Sequence, residues 1–218
     1  MSTLPDSQPA ARGRGARLPR SARRKQLLGA AQQVFVAQGY HAAAMDDIAE
    51  RAGVSKPVLY QHFPGKLDLY LALLDQHADD LVARVRRSLA ETPDNRERVE
   101  RCIQAYFDFV TADEGESAGA FRLVFESDLR NEPSVAQRVE RMAAACVDAV
   151  AETIAQDTEV APDAARLLSV GMIGTAEMSA RWWLQQGGSV PKDEAVRLLM
   201  ALLWRGISGF PRAGDQPA

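Results

Sequence analysis

The sequence predicts an all-α protein with about nine helices, and three features carry that prediction. Apolar side chains recur every three or four residues through most of the 218-residue chain. No segment alternates β-branched and polar residues as a half-buried strand does. Glycine and proline stand mainly between the periodic segments, where they end helices.

Each predicted helix has a recognisable start or stop. Gly39 and Gly53 end the first two helices, Ser55 is expected to be the N-cap of the third, and Pro57 suits its first turn. Residues 1–20, rich in Pro, Gly, Ser, Ala and Arg, are expected to be a disordered basic arm. The expected helices span about residues 21–38, 45–52, 56–63, 66–90, 95–112, 119–127, 133–156, 162–186 and 191–210.

Residues 45–63 have the layout of a helix-turn-helix, with two short helices joined by a tight turn that contains glycine. On the second of these helices, Leu59 and Phe63 can point inward. Its outward face carries a cation, an aromatic hydroxyl and an amide, from Lys56, Tyr60 and Gln61. These groups suit phosphates and base edges in a major groove.

The distribution of charge supports a polyanionic partner for this segment. The whole chain has a formal charge of −3, which by itself argues against nucleic acid. Residues 1–66, however, hold 10 basic and 4 acidic side chains, a net of +6, and the remainder holds 16 and 25, a net of −9. A basic head on an acidic body is typical of a protein that binds nucleic acid through its head.

The segment GYHAAAMDDIAERAGVSKPVLYQHFPGKLDLYLALL resembles the DNA-binding domain of the TetR family of bacterial transcriptional regulators. The resemblance covers about residues 21–75, and the rest of the chain matches the family in helix layout. It implies a three-helix helix-turn-helix head at 21–66 and a ligand-binding and dimerisation body at 67–212. The implied function is a one-component regulator, repressor or activator, whose homodimer binds a palindromic operator.

The resemblance also implies which residues contact DNA. Five positions would lie near base edges: Lys56, Pro57, Val58, Gln61 and His62. Tyr60 and Lys66 would bind phosphates, with Ser55 at the helix start. Independently of the resemblance, the basic run that includes Arg20, Arg23 and Arg24 precedes a helix-turn-helix and is expected to follow phosphates or enter the minor groove; the alternative is an ordinary solvated run. The plainer alternatives are a half-buried Tyr60, a surface His62 and a solvated Lys66.

One departure from the family concerns the start of the second helix. The family often has Thr or Ser there, whereas this chain has Ala43 and Ala44, so a capping and phosphate-binding hydroxyl is absent. Asp46 or Asp47 can support that helix end through the helix dipole but cannot bind phosphate.

For the body, the resemblance implies a small-molecule cavity and a homodimer built by the last two helices. The lining candidates, each of which could instead be simple core, are Ile103, Phe107, Val110, Phe121, Phe125, Met142, Cys146, Val150 and Met172. Gly171 and Gly174 permit close helix approach, and Trp182 and Trp183 cannot both face inward. On the last helix, the leucines between residues 198 and 203 and Trp204 form an apolar band that is wider than the core of one protomer needs.

A narrower similarity is to actinobacterial TetR regulators of fatty-acid biosynthesis, which sense long-chain acyl-CoA. The matching pieces are residues 55–74, 94–96, 107–109, 122–128 and Glu132-Pro133. It implies an apolar tunnel for an acyl chain, with Arg122, Arg138 or Arg141 near the phosphates. Any other apolar effector would suit the same lining.

Several classes are disfavoured by what the sequence lacks. It has no arrangement typical of catalytic residues, no metal-ligand cluster, no cofactor loop, no membrane span and no signal peptide, so a cytoplasmic regulator that is not an enzyme is expected. The alternatives are a helical lipid- or small-molecule-binding protein or enzyme with a vestigial DNA-binding head, and a non-specific nucleoid binder. The cysteines Cys102 and Cys146 are expected to be reduced and buried.

Overall fold

The computed structural model describes residues 18–111, 119, 129 and 131–206, and this part of the chain is helical without any strand. The all-α prediction is therefore confirmed. Residues 1–17 of the predicted arm, and all of the helix predicted at 119–127 except Gly119, lie outside the described residues; Arg20, the last residue of the predicted arm, begins the first helix. The eight helices are α1 (Arg20–Ala42), α2 (Met45–Arg51), α3 (Lys56–His62), α4 (Lys66–Ala90), α5 (Asn95–Val110), α6 (Pro133–Asp157), α7 (Pro162–Gln185) and α8 (Lys192–Arg205).

The helix ends agree with the sequence signals except at two places. Gly39 has φ of 77° and interrupts α1, but hydrogen bonding resumes and carries the helix on to Ala42. The last helix ends at Arg205, several residues before the predicted position 210, because Gly206 takes a φ of 67° that ends the helical run.

The head forms its own small core from the first three helices. Phe35 of α1, Ile48 of α2 and Leu59 of α3 are buried together. Gly53, with φ of 63°, makes the turn between α2 and α3 at a backbone conformation that L side chains rarely adopt. The side-chain amide of Gln26 donates to the carbonyl of Ala52 at 2.8 Å, which ties α1 to the end of α2.

The long helix α4 connects head and body. It packs against α1 on the head side and against α5 and α6 in the body. Its buried side chains run along its whole length, from Leu69 and Leu73 near the head to Leu81 and Val85 in the body. A rotation or shift of α4 would therefore move the head relative to the body.

The body leaves one apolar face of α7 uncovered. Leu167, Met178 and Trp182 are 72%, 64% and 56% exposed, and Gly171 and Gly174 lie between them. These five residues are four, three, four and four positions apart, so they form one stripe along the helix. We call them the α7 stripe; Leu198 and Leu202 of α8 are exposed as well.

His77 is a buried titratable group on the inner side of α4. It is 1% exposed, and its Nε2 atom has no hydrogen-bond partner among the described residues. Burial lowers the pKa of His77 to about 4, a shift that the nearby Asp80 opposes. The imidazole is therefore neutral in the folded protein at neutral pH.

We expect the free energy of unfolding to fall as the pH is lowered from about 6.5 to about 4. In this window the unfolded chain binds a proton at His77 and the folded chain does not, which costs up to about 3 kcal/mol of stability. His77→Leu should remove this part of the pH dependence in urea unfolding, and the exposed His41→Leu should retain it. An unchanged pH profile in His77→Leu would contradict the assignment.

Candidate functional site

The outward face of α3 is held in place by the residues beneath it. Leu59 and Phe63 are buried in the head core, so the opposite side of this two-turn helix must face solvent. Lys56, Pro57, Tyr60 and Gln61 are exposed, with Tyr60 42% exposed. Val58 and His62 are half-buried at the edges. The predicted base-edge residues thus lie on one helix around one accessible face.

The N-cap residues of α2 and α3 lack the side-chain capping hydrogen bonds that helix starts commonly have. Ser55 occupies the N-cap position of α3, but its hydroxyl makes no capping hydrogen bond, so that part of the prediction was wrong. Pro57 has no N–H to offer, and the N–H of Val58 bonds to the carbonyl of Ser55 at 2.9 Å. At α2, Asp47 accepts a long bond of 3.4 Å from the N–H of Ala44.

The start of α1 and the outward face of α3 enclose a cleft of about 560 Å³. Its walls are Leu18, Arg20 and Arg23 from one side and Val58, Gln61 and His62 from the other. Arg23 donates to the side chain of Gln26 at 2.7 Å. The guanidinium of Arg24 lies over the ring of Phe63, 4.4 Å from its centroid. Two of the predicted arginines therefore stand directly beside the predicted base-reading residues.

Lys56 is the cation of the outward face, and it is paired within the chain. Its Nζ atom lies 2.7 Å from the carboxylate of Asp46 at the start of α2, and both side chains are exposed. The hydrogen bond and the charge of Asp46 raise the pKa of Lys56. Any anion that binds Lys56 must therefore compete with Asp46.

Lys66 has a structural role that sequence reasoning missed. Its Nζ atom donates to the carbonyls of Tyr40 at 2.8 Å, His41 at 3.2 Å and Ala43 at 2.8 Å. It also lies over the ring of Tyr40, 4.5 Å from the centroid. An ammonium group has three N–H donors, so this arrangement uses all of them. Lys66 therefore joins the start of α4 to the end of α1, and its predicted phosphate contact requires that a phosphate replace one of these carbonyls.

Lys66→Met should lower the free energy of unfolding by about 2–3 kcal/mol, because three carbonyls lose a charged donor. Lys56→Met, which removes only an exposed ion pair, should lower it far less. Urea unfolding of both variants measures the difference. A Lys66→Met variant with wild-type stability and weakened binding to DNA would instead support a phosphate contact.

The body contains an apolar cavity of about 500 Å³ between α5, α7 and α8. Trp183 forms part of it, fixed by a 2.6 Å hydrogen bond from its Nε1 to the carbonyl of Val190 and by the ring of Phe107 at 5.4 Å. The lining residues are Phe107, Met178, Ser179, Arg181, Trp182, Trp183, Gln185, Val190, Ala195, Leu198 and Leu199. Arg181 is the one charged side chain among them, and it faces Glu177 at 3.9 Å.

Phe107 is the predicted lining residue that this cavity includes. Ile103, Val110, Met142, Cys146 and Val150 are buried in the hydrophobic core, and Met172 packs against that core. Phe121 and Phe125 lie outside the described residues. The sequence signal for this cavity is the Trp182-Trp183 pair, of which one side chain was expected to be buried and the other to lie at an interface or a pocket; both line the cavity.

The arginines predicted near the effector phosphates do not line the cavity. Arg138 pairs with Asp75 at 2.8 Å, and Arg141 is exposed, with its Nε 3.4 Å from the carbonyl of Gln137. Arg122 lies outside the described residues.

Two thiols lie in the body core. Cys102 and Cys146 are free and buried, as predicted. Burial raises the pKa of Cys102 to about 12 and that of Cys146 to about 11. Among the described residues no group of three metal-binding side chains comes together, and no helix has the length and apolar character needed to cross a membrane.

Two family models match the chain. The model "Bacterial regulatory proteins, tetR family" matches residues 27–73, which include α2, α3 and the start of α4. The model "Tetracyclin repressor-like, C-terminal domain" matches residues 95–206, from α5 to the end of α8.

Two characterised proteins are similar over most of the chain. The HTH-type transcriptional activator FasR of Mycolicibacterium smegmatis is 50% identical over 198 residues, which are 91% of this chain and 89% of FasR. The nucleoid occlusion factor SlmA of Vibrio vulnificus is 26% identical over 187 residues, or 84% of this chain and 95% of SlmA.

Solved structures share the fold. A tetR-family transcriptional regulator from Streptomyces coelicolor has a TM-score of 0.67 at 28% identity, covering 85% of this chain and 80% of its own. FadR of Bacillus subtilis, in complex with stearoyl-CoA, has a TM-score of 0.68 at 19% identity, covering 84% of this chain and 98% of its own.

Proposed function

Because this chain belongs to the TetR family of bacterial regulatory proteins, we propose that it acts as a homodimer that binds a palindromic operator and responds to an apolar effector. The chain is a transcriptional regulator of the TetR type. We divide it into a basic arm at 1–20, a DNA-binding head at 21–66 and a sensing and dimerisation body at 67–212. It works in the cytoplasm, where its DNA lies, and it is not an enzyme.

The main support for operator binding is the exposed face of α3, which lies beside the cleft that contains Arg20 and Arg23. Lys56, Pro57, Val58, Gln61 and His62 read base edges, because they surround the accessible side of a helix that fits a major groove. The phosphate contacts come from Tyr60, the unused hydroxyl of Ser55 and the three arginines Arg20, Arg23 and Arg24.

Asp46→Asn should strengthen operator binding about three- to tenfold at low salt, because it releases Lys56 from its ion pair. Glu50→Gln is the matched control: it removes one negative charge from the same helix without touching Lys56. Fluorescence anisotropy at several KCl concentrations separates the two effects. Equal gains in operator affinity for both variants would show that Asp46 acts only by general electrostatic repulsion of DNA, not through its ion pair with Lys56.

Dimerisation through α7 and α8 is supported by their uncovered apolar stripe. A monomer in solution rarely exposes a contiguous apolar patch of this kind. Pairing two copies along α7 and α8 would bury it in a four-helix bundle and would place two copies of α3 on one face of DNA, about 34–36 Å or a multiple of the helical repeat apart.

A long-chain acyl-CoA is our proposed effector class. The 500 Å³ cavity is almost wholly apolar, as an acyl chain requires. FadR of Bacillus subtilis, which shares this fold, was solved with stearoyl-CoA. The 50% identical FasR is named an activator, which favours activation as the sign of regulation.

The long helix α4 is the element through which effector binding would reach the head. It contacts the head through α1 and the body through α5 and α6, so a shift of α4 changes the spacing of the two recognition helices. An effector shifts this equilibrium only by its difference in affinity for the two arrangements, typically about 1–3 kcal/mol.

Native mass spectrometry of the purified full chain tests the effector class. A co-purified acyl-CoA, together with a change in operator affinity on adding palmitoyl-CoA but not coenzyme A, is the expected result. A small polar ligand in the spectrum would refute the acyl proposal. Ligand binding without any salt-sensitive, sequence-specific DNA complex would favour a helical binding protein with a vestigial head.

A further inference from the structure

The cavity in the body has its rim on the same surface as the α7 stripe. Met178 and Trp182 belong both to the stripe and to the cavity lining, and Leu198 of α8, also exposed, stands on the cavity's other side. The inner part of the cavity, which we call its floor, is formed by side chains that are fixed within one chain. Trp183 is held there by Val190 and Phe107, and Ala195 is buried.

This arrangement divides the cavity into a rigid inner part and an exposed outer part. Met178 is 64% exposed and Trp182 is 56% exposed, so each shows most of its surface away from its own chain. An apolar ligand seated on the floor would also meet solvent along this rim, which weakens the burial that drives its binding.

Gly171 and Gly174 suggest that a second helix covers the rim. Both are exposed on the α7 stripe, and a Cβ atom added at either would meet no neighbouring atom within 4 Å. The chain's own packing therefore does not require glycine at these positions. Glycine does favour the packing of a second helix against this stripe, because small residues let two helix backbones approach closely. The same approach would bring the partner's α7 over Met178 and Trp182, about one and two turns further along the stripe.

We propose that the cavity is a composite effector site: one protomer supplies the floor, and a second copy of this chain closes the rim. The proposal rests on the proposed function, because it takes the homodimer and the apolar effector from there. Its new content is that effector binding and dimerisation strengthen each other, since each completes the surface that the other needs. The ligand it fits is an amphiphile with an apolar chain, and Arg181, which faces Glu177, is the charged side chain in the lining.

Binding to monomeric and dimeric protein tests this linkage directly. Gly174→Leu should give a folded monomer, because a Cβ atom at this site meets no atom of the described chain within 4 Å, whereas a leucine side chain there obstructs the partner helix. Gly174 does not line the cavity, so the floor remains intact. Two probes are used on the full chain: palmitoyl-CoA, and the fluorescent apolar dye 1-anilinonaphthalene-8-sulfonate.

We expect both probes to bind the Gly174→Leu monomer at least tenfold more weakly than the wild-type dimer. Saturating palmitoyl-CoA should also lower the dimer dissociation constant of the wild type, in sedimentation equilibrium, by at least tenfold. Leu199→Trp, which fills the floor, should weaken both probes while leaving the dimer in place. Wild-type affinity for both probes in the monomer would overturn the composite site.

The remaining outcomes separate this proposal from the proposed function. Dye binding that depends on the dimer, with no binding of palmitoyl-CoA, would overturn the acyl-CoA assignment and retain the composite site. Operator binding and acyl-CoA binding that are both normal, with a dimer dissociation constant that acyl-CoA does not change and with probe binding that Leu199→Trp does not weaken, would retain the regulator and overturn the composite site. Should Gly174→Leu and Leu167→Glu both remain dimeric, the α7 stripe is not the interface and the proposal fails.

Discussion

Gly174→Leu is expected to turn the dimer into monomers and to weaken operator binding by at least about 100-fold. Two heads held in one dimer bind two half-sites with an avidity gain of about 10²–10⁴ over a single head, and the monomer loses that gain. The substitution should not harm the protomer, because an exposed helical glycine is destabilising relative to most side chains by up to about 1 kcal/mol.

Sedimentation velocity gives the oligomeric state, and fluorescence anisotropy gives the operator affinity. Gly29→Leu is the matched control for assembly, since Gly29 is also an exposed helical glycine with open space around its Cβ position, but it lies on α1. It should remain dimeric. A monomeric Gly174→Leu that retains wild-type affinity for a complete palindrome would contradict the account.

Gln61→Ala and Tyr60→Phe should affect DNA binding in different ways. Gln61 lies in the cleft beside Arg20 and Arg23, where its amide can bond to a base edge, so its loss should relax one base position by about tenfold or more. Tyr60 offers an exposed hydroxyl to a phosphate, so Tyr60→Phe should weaken binding about tenfold on all operators alike.

A set of operators, each with one base pair changed in a half-site, measures this difference. For Gln61→Ala, the loss of affinity caused by the base-pair change at one position should nearly vanish, while the losses at the other positions remain. For Tyr60→Phe all penalties should remain, at a uniformly lower affinity. Uniform losses for both variants would show that the two residues do not divide their roles in this way.

The head could be predicted from its sequence because its signals are local. Gly53 must take a positive φ to make the turn, and Leu59 and Phe63 lie on the side of α3 opposite Tyr60 by helix periodicity alone. Gly39 was predicted to end α1; it interrupts the helix with a φ of 77°, but helical hydrogen bonding continues to Ala42.

The role of Lys66 could not be predicted, because its partners are distant in sequence. The carbonyls of Tyr40, His41 and Ala43 precede it by 23 to 26 residues and meet it only through the packing of α4 against α1. The hydroxyl of Ser55 failed as a cap for a reason that the sequence does contain, since Pro57 removes one of the N–H groups that it would bind.

The sequence does not separate core residues from cavity-lining residues, because both share one pattern. On an amphipathic helix, a side chain that faces a void has the same spacing as one that faces another side chain. Ile103 and Phe107 are both buried and lie one turn apart on α5, yet Phe107 lines the cavity and Ile103 packs in the core. The difference is decided by the placement of Trp183 and Leu199 on other helices.

Selection of DNA from a random pool by the full-length protein, followed by sequencing of the bound fraction, tests the central claim most directly. The account predicts enrichment of one palindrome whose half-site centres lie about 34–36 Å, or a multiple of the helical repeat, apart, with binding that weakens steeply as salt is raised. It also predicts that Gly174→Leu loses the enrichment. Binding to all sequences alike, or an enriched site without two-fold symmetry, would contradict it.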